Sequence, residues 1–113
     1  MKNLIKFSDF EKVDIRLGTI IRSEKNDNLK KPSIVLMIDF GPQIGIKKSS
    51  AQIRVNYNSD NLIGRQVIAV VNFEAKQIGN ILSEVLVLGL PDEEDEPVLL
   101  SPSNKMKNGI RLY

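Results

Sequence analysis

The side chains of this sequence that could do chemistry are carboxylates, hydroxyls, amides and amines, because its 113 residues include no histidine and no cysteine. Histidine is the usual general base near neutral pH, and histidine and cysteine supply most zinc ligands and activated nucleophiles. Outside one acidic run the carboxylates are scattered singly, and most of them neighbour a lysine or an arginine, as surface charges do. The sequence therefore predicts a binding protein that is not an enzyme and that uses no cofactor or metal.

The polar residues best suited to binding a ligand surround a connection between two apolar runs. The first run, residues 67–73, is apolar at every position except Asn72, and the second, residues 85–90, at every position except Gly89. Short runs rich in valine and isoleucine are typical of buried strands. Because both faces of these strands are apolar, we expect the core, the binding site and a subunit interface to meet here.

A second polar stretch, residues 47–52, has weak apolar character and could lie beside that connection. Together the two segments could form a concave apolar surface rimmed by groups that hydrogen-bond to a peptide backbone. The candidate ligand-binding residues are Lys47, Ser49, Ser50, Gln52, Asn72, Phe73, Lys76, Ile78, Ser83 and Glu84.

Each candidate also has a purely structural interpretation. Phe73 alternates with the apolar residues of its own run, which favours a place in the core over one in a pocket. Asn72 could cap a turn or contact a ligand, since a buried amide needs partners. The polar residues of the stretch 49–52 could form a solvated strand edge. Glu84 needs a basic partner at the entry of an apolar strand, and Lys76 is the candidate for it.

Short strands separated by turns are the elements that must position these residues. Residues 15–22 alternate, with Ile15, Leu17, Thr19 and Ile21 on one face, which predicts a half-buried strand. Ser8 with Glu11 matches a capping box, and residues 58–64 offer an N-cap and a glycine stop for a single helical turn. Further strands are predicted at residues 34–40, 45–53, 67–73, 85–90 and 97–100. This pattern favours an all-β, closed or nearly closed barrel of the oligonucleotide/oligosaccharide-binding (OB) type.

Length and composition indicate one ordinary globular domain spanning residues 1–113, with 42% apolar and 27% charged residues. No run of about 18 apolar residues and no charged-then-apolar start are present, so we expect a cytoplasmic protein with no membrane insertion. Five of the 14 acidic residues form the run 92–96 between Pro91 and Pro97, which predicts a solvated loop.

Three segments, in order along the chain, carry a resemblance to a known family. They are DFEKVDIRLGTII at residues 9–21, IGIKKSSAQI at residues 44–53, and VIAVVNF followed by SEVLVLG between residues 67 and 89. The chain resembles the tRNA-binding OB domain superfamily that is appended to some aminoacyl-tRNA synthetases. More closely, it is similar to the small stand-alone branch of that superfamily, the CsaA-type chaperones associated with protein export.

The resemblance implies an OB-fold barrel whose N- and C-terminal extensions build a homodimer, with a pocket on each subunit for unfolded or precursor polypeptide. No phosphate-cradling glycine loop is present, so we expect this chaperone to work without ATP. The apolar tail after Asn108-Gly109 independently favours a two-fold homodimer, since a monomer would leave it partly wet. The candidate interface residues are Phe7, Phe10, Ile110, Leu112 and Tyr113.

Two positions separate this sequence from the tRNA-binding branch. Those relatives typically read Lys, apolar, Arg, Gly and then Ser-Gln-Gly-Met, where this chain has Lys76-Gln77-Ile78-Gly79 and Ser83-Glu84-Val85-Leu86. The exchange of an arginine for Ile78 and of a glutamine for Glu84 each removes attraction for a phosphate backbone. We therefore expect a peptide-binding export chaperone.

The alternative is a tRNA-binding module that acts alone or with an aminoacyl-tRNA synthetase. Asn72, Lys76 and Ser83 remain where the tRNA-binding relatives carry them, so weak tRNA binding stays open. The sequence also leaves open which polypeptides are bound and whether a secretion motor protein or other translocation machinery is a partner.

Overall fold

A computed structural model describes residues 1–113, which fold mainly into short antiparallel strands. The strands are β1 (Ile15–Asn26), β2 (Ser33–Asp39), β3 (Ile46–Ala51), β4 (Gln66–Val70), β5 (Lys76–Ile78), β6 (Ile81–Ser83), β7 (Leu86–Val87), β8 (Gly89–Pro91) and β9 (Pro97–Leu99). A short helix, α1 (Phe7–Glu11), precedes β1, and one 3-10 turn (Ser59–Asn61) precedes β4. Neither helical segment has the length and apolar character that crossing a membrane requires.

Five of the strands form one curled antiparallel sheet in the order β3-β2-β1-β4-β7. Strands β5 and β6 form a separate hairpin, and so do β8 and β9. The curled sheet encloses the core, which is built from Ile20, Ile34, Leu36, Ile38, Phe40, Ile53, Leu62, Val67, Ala69, Val85 and Leu99. The fold is the predicted all-β OB-type barrel with short helical turns.

The inward face of β1 differs from the predicted one. The alternation placed Ile21 on the buried face, but Ile20 is fully buried and Ile21 is 43% exposed. The pairing of β1 with β2 shifts register between Ile20 and Arg22. Gly18 and Ile20 already face inward before this β-bulge, whereas Leu17 lies on an equally apolar outer surface beside Ile68, so apolar alternation alone could not identify the inward face. The bulge reverses the alternation only beyond Ile20, where Arg22 and Glu24 are exposed.

Gly18 also faces the interior of the barrel. A Cβ atom at this position would lie 2.6 Å from Cγ2 of Ile38 and 2.8 Å from the ring of Phe40. Only a residue without a side chain therefore fits between β1 and these two core residues.

The C-terminal segment pairs with the edge of β1 that β2 leaves free before Thr19. The N–H of Leu17 donates to the carbonyl of Ile110 (3.0 Å), and the N–H of Gly109 donates to the carbonyl of Leu17 (2.8 Å). The hydroxyl of Thr19 donates to the side chain of Asn108 (2.6 Å). Leu17 and Thr19 were predicted on the buried face of β1, but they lie on its outer surface and contact the C-terminal segment.

The two apolar runs form shorter strands than predicted. Strand β4 ends at Val70, and Phe73 lies beyond it with 55% of its surface exposed, so its predicted place in the core is wrong. The second run divides into β7, which pairs with β4, and β8, which pairs with β9. Because the chain turns from one sheet to another, Leu86 and Leu90 are 50% and 61% exposed.

The helical turns are present, but one cap differs. The capping box of Ser8 with Glu11 is wrong, since α1 begins before Ser8 and the carboxylate of Asp9 accepts a hydrogen bond from the N–H of Lys6 (3.0 Å). The predicted N-cap at Asn58 is confirmed, because its side-chain oxygen accepts hydrogen bonds from the backbone at the start of the 3-10 turn.

Candidate ligand-binding face

Two of the predicted ligand residues close the barrel beside β3. The Oγ of Ser83 accepts a hydrogen bond from the N–H of Ser50 (3.0 Å), and Oε1 of Glu84 accepts one from the N–H of Lys48 (3.1 Å). The backbone N–H of Glu84 in turn donates to the carbonyl of Lys48 (2.8 Å). The side chains of Ser83 and Glu84 therefore replace part of the backbone hydrogen bonding between two strands. They hold the connection between the two apolar runs against β3, as the sequence predicted.

Glu84 forms an ion pair, although not with the predicted partner. Its Oε2 lies 3.8 Å from Nζ of Lys47, and the two side chains are 33% and 37% exposed respectively. Lys76 lies on β5 opposite Ser83 and forms no ion pair. The predicted Glu84–Lys76 pair is wrong because Lys47 of β3, which is remote in sequence, reaches the carboxylate of Glu84 once the barrel closes.

The two serines of β3 face opposite sides of the sheet. Ser49 pairs with Leu36 and is 2% exposed, so its side chain lies inside the barrel and away from any surface ligand. The hydroxyl of Ser50 lies on the other face, 3.1 Å from the hydroxyl of Ser33. Gln52 follows β3 and is exposed. Ser50 and Gln52 thus remain open to a ligand, whereas Ser49 does not.

Asn72 ties the N-terminal segment to the barrel. Its side-chain oxygen accepts a hydrogen bond from the N–H of Asp14 (2.9 Å), and its amide nitrogen donates to the carbonyl of Lys12 (2.7 Å). Of the two roles considered for this amide, the structure supports the structural one. Its two hydrogen bonds cap the turn that leads from α1 into β1.

Three more of the predicted ligand-binding residues lie on the β5–β6 hairpin or just before it. Lys76 is exposed, Ile78 is partly buried opposite Ile81, and Phe73 precedes the hairpin as an exposed aromatic. The hairpin turn packs on the loop between β1 and β2, since a Cβ atom at Gly79 would lie 2.4 Å from Leu29. The hairpin therefore forms a wall beside the outer face of the sheet.

A groove of about 380 Å³ lies between this wall and the outer face of β1, β2 and β3. Val35 and Met37 are among its apolar residues. Its lining also includes three basic residues and one acidic residue, which are Arg22, Lys25, Lys48 and Glu24. The groove occupies the surface over strands 2 and 3 that OB-folds use for ligands.

Most of the arginine charge near this face is paired. Arg22 lies 3.2 Å from the carboxylate of Glu24. Arg54 forms an ion pair with Asp27 on the neighbouring loop. With Lys47 held by Glu84, the unpaired cations that line the groove are the lysines at 25 and 48.

The groove contains residues that sequence reasoning did not single out. The bulge in β1 moves Arg22 and Glu24 onto the outer face, beside Met37 of β2. The high density of basic residues between positions 22 and 65 is visible in the sequence and is the signal that points here. The bulge that orients these residues leaves no comparable signal.

The predicted interface residues of the C-terminal segment line an apolar cavity, whereas Phe7 and Phe10 lie on α1, outside its lining. This cavity has a volume of about 280 Å³ and also touches Arg16 and Arg111. Its apolar lining consists of Leu17, Ile68, Met106, Ile110, Leu112 and Tyr113. Leu112 is 40% exposed, and Tyr113 is fully exposed. Phe7 is 70% exposed, and its ring centroid lies 6.0 Å from that of the partly buried Phe10.

An ion-pair cluster holds the two termini together beside this cavity. Arg16 donates to the carboxylate of Asp14 (2.6 Å) and to the carbonyl of Gly109 (2.9 Å). Arg111 lies 3.7 Å from the same carboxylate and donates to the carbonyl of Glu11 (2.9 Å). Asp14 therefore connects the segment after α1 with the C-terminal segment.

The acidic run forms the tight turn between β8 and β9. The carboxylate of Asp92 accepts hydrogen bonds from the side chain of Asn56 and from the N–H groups of Glu94 and Glu96. These bonds, the one from Asn56 first, hold the pKa of Asp92 below its ordinary value. The turn is exposed, so the run is a solvated loop as expected.

Residues 15–111 match the family described as a putative tRNA binding domain. Two solved structures of chaperones have the same fold over almost the whole chain. The chaperone CsaA from Bacillus anthracis str. Ames is 43% identical, with a TM-score of 0.91 over 98% of this chain and 100% of that one. The CsaA chaperone protein from Picrophilus torridus is 44% identical, with a TM-score of 0.90 over 97% and 100%.

Curated relatives include methionine–tRNA ligases, which are much longer proteins. The ligase of Methanococcoides burtonii is 33% identical over 112 residues, which are 99% of this chain and 16% of the ligase. The ligase of Thermococcus onnurineus is 32% identical over 108 residues, which are 96% of this chain and 14% of the ligase. The chain thus spans about a sixth of the length of these relatives.

Proposed function

The chain belongs to the putative tRNA-binding domain family, and on that premise we propose that it is an export-related chaperone that binds unfolded or precursor polypeptides as a homodimer without ATP. The observation that carries this proposal is that two cations of the candidate face are paired with carboxylates. Lys47 lies 3.8 Å from Glu84 and Arg22 lies 3.2 Å from Glu24, and each carboxylate weakens the attraction of this face for a phosphate backbone.

The surface also offers what a chaperone needs. Phe73 and Leu82 are 55% and 48% exposed around the β5–β6 hairpin, beside the hydrogen-bonding groups of β3. An unfolded segment presents apolar side chains and an unpaired backbone, and such a surface can engage both. The likeness to two CsaA chaperones over almost the whole chain supports the same conclusion.

The homodimer forms, in this proposal, through the apolar surface of the termini. Burying Leu112, Tyr113 and Phe7 against a second copy would remove exposed apolar area from water. Leu112→Asp combined with Tyr113→Asp leaves the barrel core untouched and is expected to give monomers in light scattering. A dimer that persists in this double variant would refute the use of the C-terminal segment.

The alternative function is tRNA binding, alone or with an aminoacyl-tRNA synthetase. The basic lining of the groove, with Arg22, Lys25 and Lys48 against Glu24, is the observation that favours it. With Arg22 paired, we expect such binding to be weak and strongly dependent on salt.

The chaperone proposal is tested by diluting a chemically unfolded protein into buffer with and without the purified chain. We expect the chain to suppress aggregation without any nucleotide, and added tRNA to compete poorly at physiological salt. No suppression at a molar excess of chain, together with tight tRNA binding, would instead favour the alternative. Recovery of the chain from its native lysate, with and without nuclease, then shows whether RNA accompanies it.

A further inference from the structure

The barrel is incompletely closed where the edge of β3 faces β7. At one end the N–H groups of Glu84 and Val85 donate to the carbonyl of Lys48, at 2.8 and 3.3 Å. Beyond that point no backbone hydrogen bond joins the two strands. We call this open stretch the seam, and define it by Ser50 and Gln52 on one side and Val87 on the other.

The hydrogen-bonding pattern shows which backbone groups of β3 point into the seam. The N–H of Phe40 donates to the carbonyl of Gly45 (3.0 Å), and these two residues are aligned across β2 and β3. In an antiparallel pair every second residue bonds to the partner strand. Residues 47, 49 and 51 therefore bond to β2, while Ser50 and Gln52 direct their backbone groups to the open edge.

Strand β7 likewise directs the backbone groups of alternate residues to opposite edges. The N–H of Leu88 donates to the carbonyl of Ile68 (2.9 Å), so this N–H and the backbone groups of Leu86 point toward β4. The carbonyl of Leu88 accepts a hydrogen bond from the N–H of Leu100 (3.1 Å). Val87, which lies between Leu86 and Leu88, directs its N–H and carbonyl toward the seam.

Five backbone groups of the seam have no hydrogen-bond partner in the chain. They are the carbonyl of Ser50, the N–H and carbonyl of Gln52, and the N–H and carbonyl of Val87. The N–H of Ser50 is taken by Oγ of Ser83. Unpaired groups along a strand edge are a template on which another extended chain can pair.

The seam opens into a cavity of about 380 Å³, a size within the range of ligand pockets. Its wall includes the apolar side chains of Ile53, Leu86 and Leu99. Its rim includes Asp95 and Glu96 of the acidic turn, with Lys31 as the one basic residue. The rim therefore repels a polyanion and attracts basic residues.

We propose that an extended polypeptide segment pairs its backbone with the open edge of β3 in the seam. This inference rests on the proposed function and names the binding mode of that site. Backbone groups of the segment bond to Ser50 and Gln52, and alternate side chains enter the cavity. A short apolar stretch flanked by lysine or arginine fits best, because the acidic turn lies at the rim.

Proline at position 52 gives a direct test, since it removes one of the unpaired N–H groups without removing any hydrogen bond of the fold. The N–H of Ile53 donates to the carbonyl of Ala51 (3.0 Å) around Gln52. Gln52 does not have a positive φ, so this is an inverse γ-turn, whose central φ of about −75° proline can adopt. We expect Gln52→Pro to fold with an unchanged urea midpoint.

The matched control is Gln52→Ala, which removes the side chain and keeps the N–H. The probe is a fluorescent peptide with a central Leu-Val-Ile-Val segment flanked by lysines. We expect Gln52→Pro to bind it about threefold to tenfold more weakly than Gln52→Ala does, the factor that corresponds to one backbone hydrogen bond. Equal affinity of the two variants would overturn the seam pairing.

Two further measurements complete the test. In the wild type, saturating peptide is expected to slow hydrogen exchange at the amides of Gln52 and Val87, and unchanged exchange at both would overturn the inference even if the proline variant failed to fold. Asp95→Asn with Glu96→Gln is expected to reduce the preference for the lysine-flanked peptide over a glutamate-flanked one. A wild type that binds no peptide at all refutes the proposed function itself, whereas binding without these effects refutes only the seam.

Discussion

Replacing Glu84 by glutamine separates the two tasks that this carboxylate performs. The amide oxygen of glutamine can still accept the hydrogen bond from the N–H of Lys48, which the carboxylate accepts at 3.1 Å. The ion pair with Lys47, at 3.8 Å, is lost. Glu84→Ala loses both interactions and so provides the matched comparison.

The loss of stability expected in each Glu84 variant follows from the exposure of the Glu84–Lys47 pair. Both side chains are about one third exposed, so solvent screens the ion pair and it contributes about 0.5–1 kcal/mol. Glu84→Ala also leaves the N–H of Lys48 without an acceptor at the barrel edge, and a total loss of about 1–3 kcal/mol is expected.

Urea denaturation measures these free energies of unfolding, and a double-mutant cycle with Lys47→Gln isolates the pair. The cycle is expected to give a coupling energy close to the loss in Glu84→Gln. A coupling of zero, with Glu84→Ala no less stable than Glu84→Gln, would refute the assignment of Glu84 as a closing residue of the barrel.

The same substitution has a consequence for ligands. Removing the carboxylate releases Lys47 and takes a negative charge from the face, so tRNA affinity is expected to rise by about 0.5–1.5 kcal/mol with a steeper salt dependence. Peptide binding is expected to change less, because hydrogen bonding is retained. An unchanged tRNA affinity would place Glu84 outside any path of a nucleic acid.

Three other substitutions test separate parts of the structure. Gly18→Ala forces a methyl group against Phe40 and is expected to cost about 1–3 kcal/mol of stability in urea denaturation. Asn72→Ala removes the hydrogen bonds that cap the turn at Asp14, and faster hydrogen exchange there with unchanged peptide affinity is expected. Because the folded pKa of Asp92 lies below its ordinary value of 3.8, its stabilising effect is present above that value and is lost as the pH falls through the folded pKa. In Asp92→Asn, the free energy of unfolding is therefore expected to fall less steeply as the pH is lowered through the acid range. An unchanged dependence on pH in this range would contradict the role of Asp92.

The strands that could be predicted from the sequence are those with a simple local pattern. Alternation and short apolar runs placed β1, β2 and β4 in the right regions, and the cap at Asn58 was readable because it depends only on neighbouring residues. The β5–β6 hairpin was missed, because its two strands have three residues each and no apolar alternation.

Long-range contacts set the features that sequence could not give. The bulge after Ile20 depends on how β2 pairs with β1, and it places Arg22 and Glu24 on the outer face of the sheet. The partner of Glu84 was missed for the same reason, since Lys47 comes beside it only when the barrel closes. Asn72 and Ser49 were chosen for their polarity, yet tertiary contacts turn them into a cap and a buried residue.

The most direct test of the account compares the affinity of the wild-type chain for an unfolded, apolar-rich polypeptide and for tRNA as salt is raised through the physiological range. Apolar and backbone contacts depend little on salt, whereas neutralised phosphates lose orders of magnitude of affinity. We predict that polypeptide binding persists and that tRNA binding disappears. Tight tRNA binding that survives this salt range, with no measurable binding of polypeptide, would contradict it.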